Sequence, residues 1–502
     1  MAEVILSIDQ GTTGTTALLT DPEGRVLGRQ TVEFQQHYPQ PGWVEHDLAD
    51  IWASVRQAVE AALAGCDGVD AGDVRAIGIT NQRETVALWD RETLEPLGRA
   101  IVWQCRRTAD QCHQLREASA EPEFTRRTGL LLDPYFSGTK LAWLLDHLPD
   151  ARRKADNGRV AAGTIDTYLI AKLTGGAAHV TDVTNASRTL LMNLAHRQWD
   201  DWCLETLGVP ASVLPAIRPS AGEFGRTTGL DWLGGGIPIT GVAGDQQAAL
   251  FGDCCTAEGQ AKCTYGTGAF LLLNTGPTPI PSTARLLSTM AWETAETTTY
   301  ALEGSVFVAG AAVQWLRDGL GLIDTTPDVE PLAASVPDSG GVVFVPAFVG
   351  LGAPHWRPDV RGTIVGLTRG TTRAHLARAA LEGIAFQVAD VVEAMARDAA
   401  HPIEVIRADG GAAANNLLMQ IQADLLGIPV ERGPVLETTG VGAALLAALG
   451  VGLHADIADI AATWQTDRAF TPAISRDQAA TRLDAWRSAV TGAASLKSPA
   501  SP

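Results

Sequence analysis

What the 502-residue chain has little of narrows its chemistry before any motif is considered. Basic residues are the first shortage: 38 Lys and Arg stand against 57 Asp and Glu, a formal charge of −19. Such a surface repels phosphate backbones and anionic lipid, so nucleic acid is not an expected partner. A single nucleotide is compatible with it, because one cleft can hold an anion through backbone N–H groups and a metal ion whatever the global charge. Cysteine is scarce and odd in number. The seven show no CxxC spacing, which indicates neither a disulfide framework nor a zinc site and fits reduced thiols in a cytoplasmic protein.

Long apolar runs are missing too. The first residues, MAEVILSIDQGTTG, reach Asp9 before any stretch long enough for a signal sequence and read as a buried strand. The longest uncharged run, 438–454, is interrupted by Gly440, Gly442, Gly450 and Gly452 and reads as a buried helix, so no membrane insertion is expected. No GxxxxGK[ST] occurs, and no GxGxxG follows a strand with an acid about twenty residues on, which removes most of the support for P-loop and Rossmann readings. The ten histidines show no HxxxH or HExxH spacing and are assigned no metal.

What is present is an ordinary globular composition, 46% hydrophobic and 19% charged, in a chain too long for one core. Two α/β domains are expected, 1–253 and 254–502, with disorder only in the small, polar tail 491–502. In the first half, VILSI, the polar turn DQGTTGTT and ALLT read as strand, turn, strand, and DPEG leads to a third strand. Asp47 can cap a helix with Ile51, Trp52, Val55, Val59 and Leu63 on one face, after which 74–80 and 85–90 read as strands. The second half repeats this grammar in KCTYGTGAFLLL (262–273). Thr372 precedes a long amphipathic stretch, and 405–426 reads as a strand, a Gly/Ala turn and a helix.

Six segments could carry chemistry. In DQGTTGTT, Thr12 and Thr13 offer N–H and O–H donors to phosphate oxygens, and Asp9 can hold Mg²⁺ through water; an Asp/Gly hairpin with no ligand looks the same. YGTG (265–268) supplies a second set of donors, Thr267 foremost, and two hairpins gripping one triphosphate suit a reaction that is mostly positioning and charge stabilisation. DGGAAANN (409–416) lets a flat ring approach the backbone, with Asn415 able to bond a purine, although a tight β–α connection explains most GG pairs. In GVAGDQQAAL (241–250), Asp245 follows a buried strand, facing the crevice where α/β sheets bind ligands, and could take a proton from an attacking alcohol; a helix-capping aspartate is the plainer alternative. NQRET (81–85) and WQCRR (103–107) gather Arg, Glu, Gln and Trp as a small polyol requires, or as surface ion pairs do.

In this order and together with PGWVEHD (41–47), DPYFSGTK (133–140), TDVTNASRT (181–189), ALEGSVFVAGAAVQWLRD (301–318) and VPAFVGLGAPHW (345–356), these segments closely resemble the FGGY family of carbohydrate kinases over nearly the full length. That resemblance implies two RNase H-like domains of the actin and hexokinase type, with an interdomain catalytic cleft that closes over ATP and a polyol. NQRET and WQCRRT narrow the implied polyol to glycerol, giving sn-glycerol 3-phosphate and ADP. Arg83, Glu84, Tyr135, Asp245 and Gln246 would hold it, Trp103 and Phe270 would cover its carbon side, and Asp245 would be the general base. ATP would meet Thr12, Thr13, Thr267, Gly310, Gln314, Gly411 and Asn415, with Asp9 near Mg²⁺. A homo-oligomer is the expected assembly. Two departures from the family stand out: Thr16 occupies a position where many members carry arginine, and GLDWLGGGIP (229–238) lacks the Arg or His of regulated members, so no inhibition by fructose 1,6-bisphosphate is expected there. A kinase for another three- or five-carbon polyol, and a non-catalytic sensor of glycerol or ATP, stay open as alternatives.

Overall fold

The computed structural model describes residues 3–399 and 401–496. A run of apolar residues makes Val4–Gln10 a strand buried everywhere but at Asp9, and the turn of Gly11 to Thr13 folds it back on Gly14–Thr20, which in turn pairs antiparallel with Val26–Glu33. Val74–Asn81 lies parallel to the first strand on its other side, followed by Pro238–Gly244, also parallel, and then Ala221–Arg226, antiparallel. Asp47 caps the helix Leu48–Ala64, accepting from the Ala49 amide at 2.9 Å, as the sequence leads one to expect.

The second large sheet repeats this plan. Ala261–Tyr265, Ala269–Gly276 and Thr298–Val306 run antiparallel, with Leu287–Glu293 at the edge. Ile406–Asp409 and Val430–Arg432 lie parallel beyond Ala261–Tyr265, and Arg468–Phe470 closes the row. In each half, two hairpin-linked strands are extended by parallel strands that arrive over helices, so each tight hairpin sits at the end of its sheet nearest the parallel strand ends. A smaller five-stranded sheet, including Val86–Asp90 and Val160–Thr164, is inserted in the first half and carries the segments around Trp103 and Tyr135.

The helix Thr438–Gly450 comes between two strands of the second sheet in the chain yet packs against strands 4–10, 74–81 and 238–244 of the first and against the helix Asp245–Gly252. Its approach depends on missing side chains: a Cβ at Gly442 would lie 1.7 Å from the Ala248 carbonyl oxygen, one at Gly78 2.2 Å from Ala443 O, and one at Gly241 2.3 Å from Ala447 N. The tail departs from expectation. A helix, Arg476–Ser495, capped by Ser475, continues through residues 491–495 because Ala489, Val490 and Ala493 are buried against the second core; 497–502 lie outside the described residues. Among the described residues no helix is long and apolar enough to cross a membrane.

Candidate active site

Arg83 leaves the end of strand 74–81 and is 2% exposed, so its charge must be met by protein. Glu303, fully buried on strand 298–306, meets it as a bidentate partner, accepting from Nη1 at 2.6 Å and Nη2 at 3.0 Å. The same carboxylate accepts from Arg188 Nη2 at 3.0 Å, and Arg188 Nε donates to Glu84 at 2.7 Å. Two guanidiniums and two carboxylates thus close a buried, charge-balanced group between the two halves of the chain. Burial alone would push the Glu303 carboxyl up, but Arg188 and Arg83 hold it below its ordinary value. Glu84 has fewer bonds to the arginines, and there burial wins, raising its carboxyl. Its backbone adopts a left-handed conformation, φ 63°, that turns the chain at this point.

From this group one edge of Arg83 faces outward. Its Nε stands 3.0 Å from Asp245 Oδ1, its Nη2 lies 3.3 Å from the Tyr135 hydroxyl, and its Nη1 bonds Gln247 at 3.2 Å. Asp245 is the first residue of helix 245–252 and is about one-third exposed, the only carboxylate of the group with access to solvent. The cap position itself is Gly244, but Asp245 Oδ1 accepts from the Gln246 amide at 2.7 Å, so the carboxylate serves the helix start as well as facing Arg83. Its neighbour Gln246 is buried, and its side-chain oxygen accepts from Lys262 Nζ at 2.5 Å, which turns the amide NH₂ away from the lysine. Trp103 and Tyr135 meet edge to face with centroids 5.7 Å apart, both half-buried, and Phe270 lies half-buried on strand 269–276.

The residues expected to meet the nucleotide lie at the two hairpins and on the elements beside them. Thr12 is half-buried and Thr13 exposed at the tip of the first, while Thr267 is exposed at the tip of the second. Gly310 opens the helix Gly310–Asp318 directly over that second hairpin: its amide donates to Gly266 O at 2.9 Å, and a Cβ there would sit 2.6 Å from the same oxygen. Gln314 is exposed one turn further along. Asn415 caps the helix Asn416–Leu426 with its side-chain oxygen, 2.9 Å from the Leu418 amide, which leaves its NH₂ available. Nothing in the protein would touch a Cβ at Gly411, so the backbone there borders open space.

Asp9, half-buried at the end of the first strand, has its carboxyl pushed up to about 7 by burial and then by the carboxylates of Asp245 and Glu437, with Arg29 opposing. A carboxylate so crowded by negative charge suits a cation, and the described residues gather no third His, Cys, Asp or Glu to enclose one. That donor set fits Mg²⁺ carried mainly by water and phosphate oxygens, with Asp9 as the protein's anchor. Sequence reasoning missed Arg188, Glu303, Lys262 and Arg29. The signal for Glu303 is a lone acid inside the apolar strand YALEGSVFV, a residue type seldom buried without a partner. A separate hollow of roughly 640 Å³, lined by His355, Asp390 and Arg487 among others, contains none of the predicted residues.

The FGGY carbohydrate-kinase N-terminal domain matches residues 4–252 and the C-terminal domain of the same family matches 261–451. The chain belongs to the FGGY family of carbohydrate kinases. It is similar to a glycerol kinase of Myxococcus xanthus, 57% identical over 491 residues that cover 97% of this chain and 99% of that one. A glycerol kinase of Trichlorobacter lovleyi is 55% identical over 487 residues, covering 97% and 98%. Among solved structures, Plasmodium falciparum glycerol kinase with ADP superposes with a TM-score of 0.92 at 36% identity, covering 98% of each chain. A xylulose kinase of Lactobacillus acidophilus shares the fold at 23% identity and a TM-score of 0.87. As an FGGY kinase the chain has the two-domain α/β architecture of that family and uses ATP.

Proposed function

We propose that this FGGY kinase transfers the γ-phosphoryl group of ATP to a terminal hydroxyl of glycerol, giving sn-glycerol 3-phosphate and ADP. The observation that carries the reading is the Arg83–Asp245 pair. Glu303 fixes the guanidinium of Arg83 from within, Arg83 stands 3.0 Å from Asp245, and the partly exposed Asp245 carboxylate is the charged group left to meet a small polyhydroxylated ligand. Trp103, Tyr135 and Phe270 supply an aromatic wall for the carbon edge of such a ligand, and the relatives at 55–57% identity are glycerol kinases.

In this reading Asp245 accepts the hydroxyl proton as the glycerol oxygen bonds to phosphorus, and the bond from phosphorus to the β-bridging oxygen breaks, releasing ADP. Gln246, fixed by Lys262, and Glu84, fixed by Arg188, orient the remaining hydroxyls. Thr12, Thr13 and Thr267 donate to the phosphates, while Gly310, Gln314, Gly411 and Asn415 border the nucleoside. Mg²⁺ bound near Asp9 would offset phosphate charge. Closing the two halves would exclude water and limit ATP hydrolysis.

A coupled ADP-release assay with and without glycerol tests the reading, run beside Asp245→Asn. Release should depend on glycerol, and the variant should lose about 10²- to 10⁴-fold in rate, the usual cost of removing a general base, while binding ATP as before. Glycerol-independent release, or a variant within about threefold of wild type on that scale, would remove Asp245 from this role.

A further inference from the structure

We infer that Trp103 is a positioning residue that joins the polyol subsite to the phosphate hairpin, its indole N–H setting the direction of the Thr12 hydroxyl proton. The inference rests on the kinase reading above and adds to it a second task for a residue that reading gives only to the polyol. Trp103 Nε1 lies 2.9 Å from Thr12 Oγ1, a hydrogen bond that spans 91 residues of sequence.

The polarity of this bond is not a matter of choice. An indole N–H can only donate, whereas a hydroxyl has one proton to give and two lone pairs. Thr12 must therefore accept from Trp103, and its own proton has to go elsewhere. No other protein partner of the Thr12 hydroxyl is found among the described residues, and Thr12 stands half-buried at the hairpin tip. The proton is thus left pointing where a phosphate oxygen, which only accepts, would sit. Without the indole, the hydroxyl could rotate freely and would lose orientation on binding.

Trp103 is itself held at both ends. Its backbone N–H donates to Thr85 Oγ1 at 3.2 Å, and its ring meets Tyr135, whose hydroxyl accepts from Arg83. A continuous set of contacts therefore runs from the guanidinium at the polyol to the hydroxyl at the phosphates. Displacement of the ring by a polyol would be felt at Thr12, and the reverse.

Trp103→Phe retains an aromatic wall and removes the N–H. At saturating glycerol it should lower kcat/KM for ATP about three- to tenfold, the range expected for one neutral hydrogen bond. Thr12→Val should lower it at least as much, and the double variant should be no worse than Thr12→Val alone, because both changes remove one unit. Thr12→Ser, which retains the hydroxyl, should restore the rate to within about twofold of wild type on the same scale. ATP affinity measured by calorimetry in the absence of glycerol should follow the same order. A Trp103→Phe enzyme whose only change is a raised KM for glycerol overturns the inference, and so do losses that multiply in the double variant; in both cases the kinase reading stands. A wild-type chain that releases no ADP with glycerol overturns the kinase reading instead, and calorimetry then decides whether the indole orients Thr12.

Discussion

Asp166 lies fully buried on the helix Ile165–Leu173, accepting hydroxyl protons from Thr164 at 2.5 Å and Thr181 at 2.6 Å. Burial, and then the neighbouring carboxylate of Asp182, push its carboxyl up to about 7. An unfolded chain gives up this proton near pH 4, whereas the folded chain retains it to near 7. Its contribution to stability is therefore full below pH 4 and is lost as pH rises toward 7. Asp166→Asn has no such proton to lose. Measured by urea unfolding at pH 5 and pH 8, the variant should gain on wild type at the higher pH, by on the order of 2 kcal/mol. A gap independent of pH would show that Asp166 ionises normally. The residues proposed to face ligand are easier to read from the sequence than those that hold them. Arg83, Glu84 and Asp245 stand at strand ends beside glycines and other polar groups, where a carboxylate or guanidinium stands out in the sequence. Arg188 and Glu303 sit among apolar neighbours, and Glu303 meets Arg83 across 220 residues, a pairing that no local pattern announces.

At the scale of single elements, hairpins and capped helices were legible because their signals are local. DQGTTGTT and YGTG form the tight turns expected, Asp47 and Thr372 precede the helices they were expected to start, and 438–450 is a buried helix. The end of the chain was not: small polar residues at 491–495 look unstructured until the core that buries Val490 and Ala493 is in place. Thr16, the departure in the first hairpin, is the cross-strand partner of Asp9 and hydrogen-bonds the Thr31 hydroxyl at 2.9 Å. Arg29 lies two residues from Thr31 on the same face, but its guanidinium is held by Glu437 at 2.5 Å in a half-exposed ion pair. Thr16 is half-buried, so a longer side chain there can extend past Asp9 toward solvent, where the proposal puts the phosphates. Thr16→Arg should therefore raise kcat/KM for ATP at saturating glycerol, by about fivefold or more if one charged hydrogen bond is gained. Initial rates over a range of ATP decide it, and an unchanged or lower value would assign the missing charge to Arg29.

For the whole molecule the question is what couples the two halves, and two contacts answer it. The buried group of Arg83, Glu84, Arg188 and Glu303 is one. Glu303→Gln retains the shape but leaves two buried guanidiniums against one buried carboxylate, Glu84, and the partly exposed Asp245, so unfolding free energy should fall by about 3–5 kcal/mol and KM for glycerol should rise, readable by urea unfolding and initial rates. The helix 438–450 is the other, since it belongs to the second half by sequence and rests on the first half and on the helix that begins with Asp245. Its glycines separate the two tasks it performs. At Gly440 an added Cβ would meet only the Leu18 side chain, at 2.5 Å, and a leucine end can swing aside. At Gly442 it would lie 1.7 Å from the Ala248 carbonyl, where nothing can yield without moving helix 245–252. Replacing glycine by alanine inside a helix is worth about 1 kcal/mol in propensity, which offsets the crowding at Gly440. At Gly442 overpacking of backbone against backbone should exceed it, at about 1–3 kcal/mol or more. Gly440→Ala should thus leave the thermal midpoint and kcat near wild type. Gly442→Ala should lower both, because the helix it displaces carries Asp245 and Gln246 away from Arg83 and Lys262. Should Gly442→Ala unfold earlier yet turn over at the wild-type rate at low temperature, the helix would be a structural tie with no hold on Asp245, the proposed base.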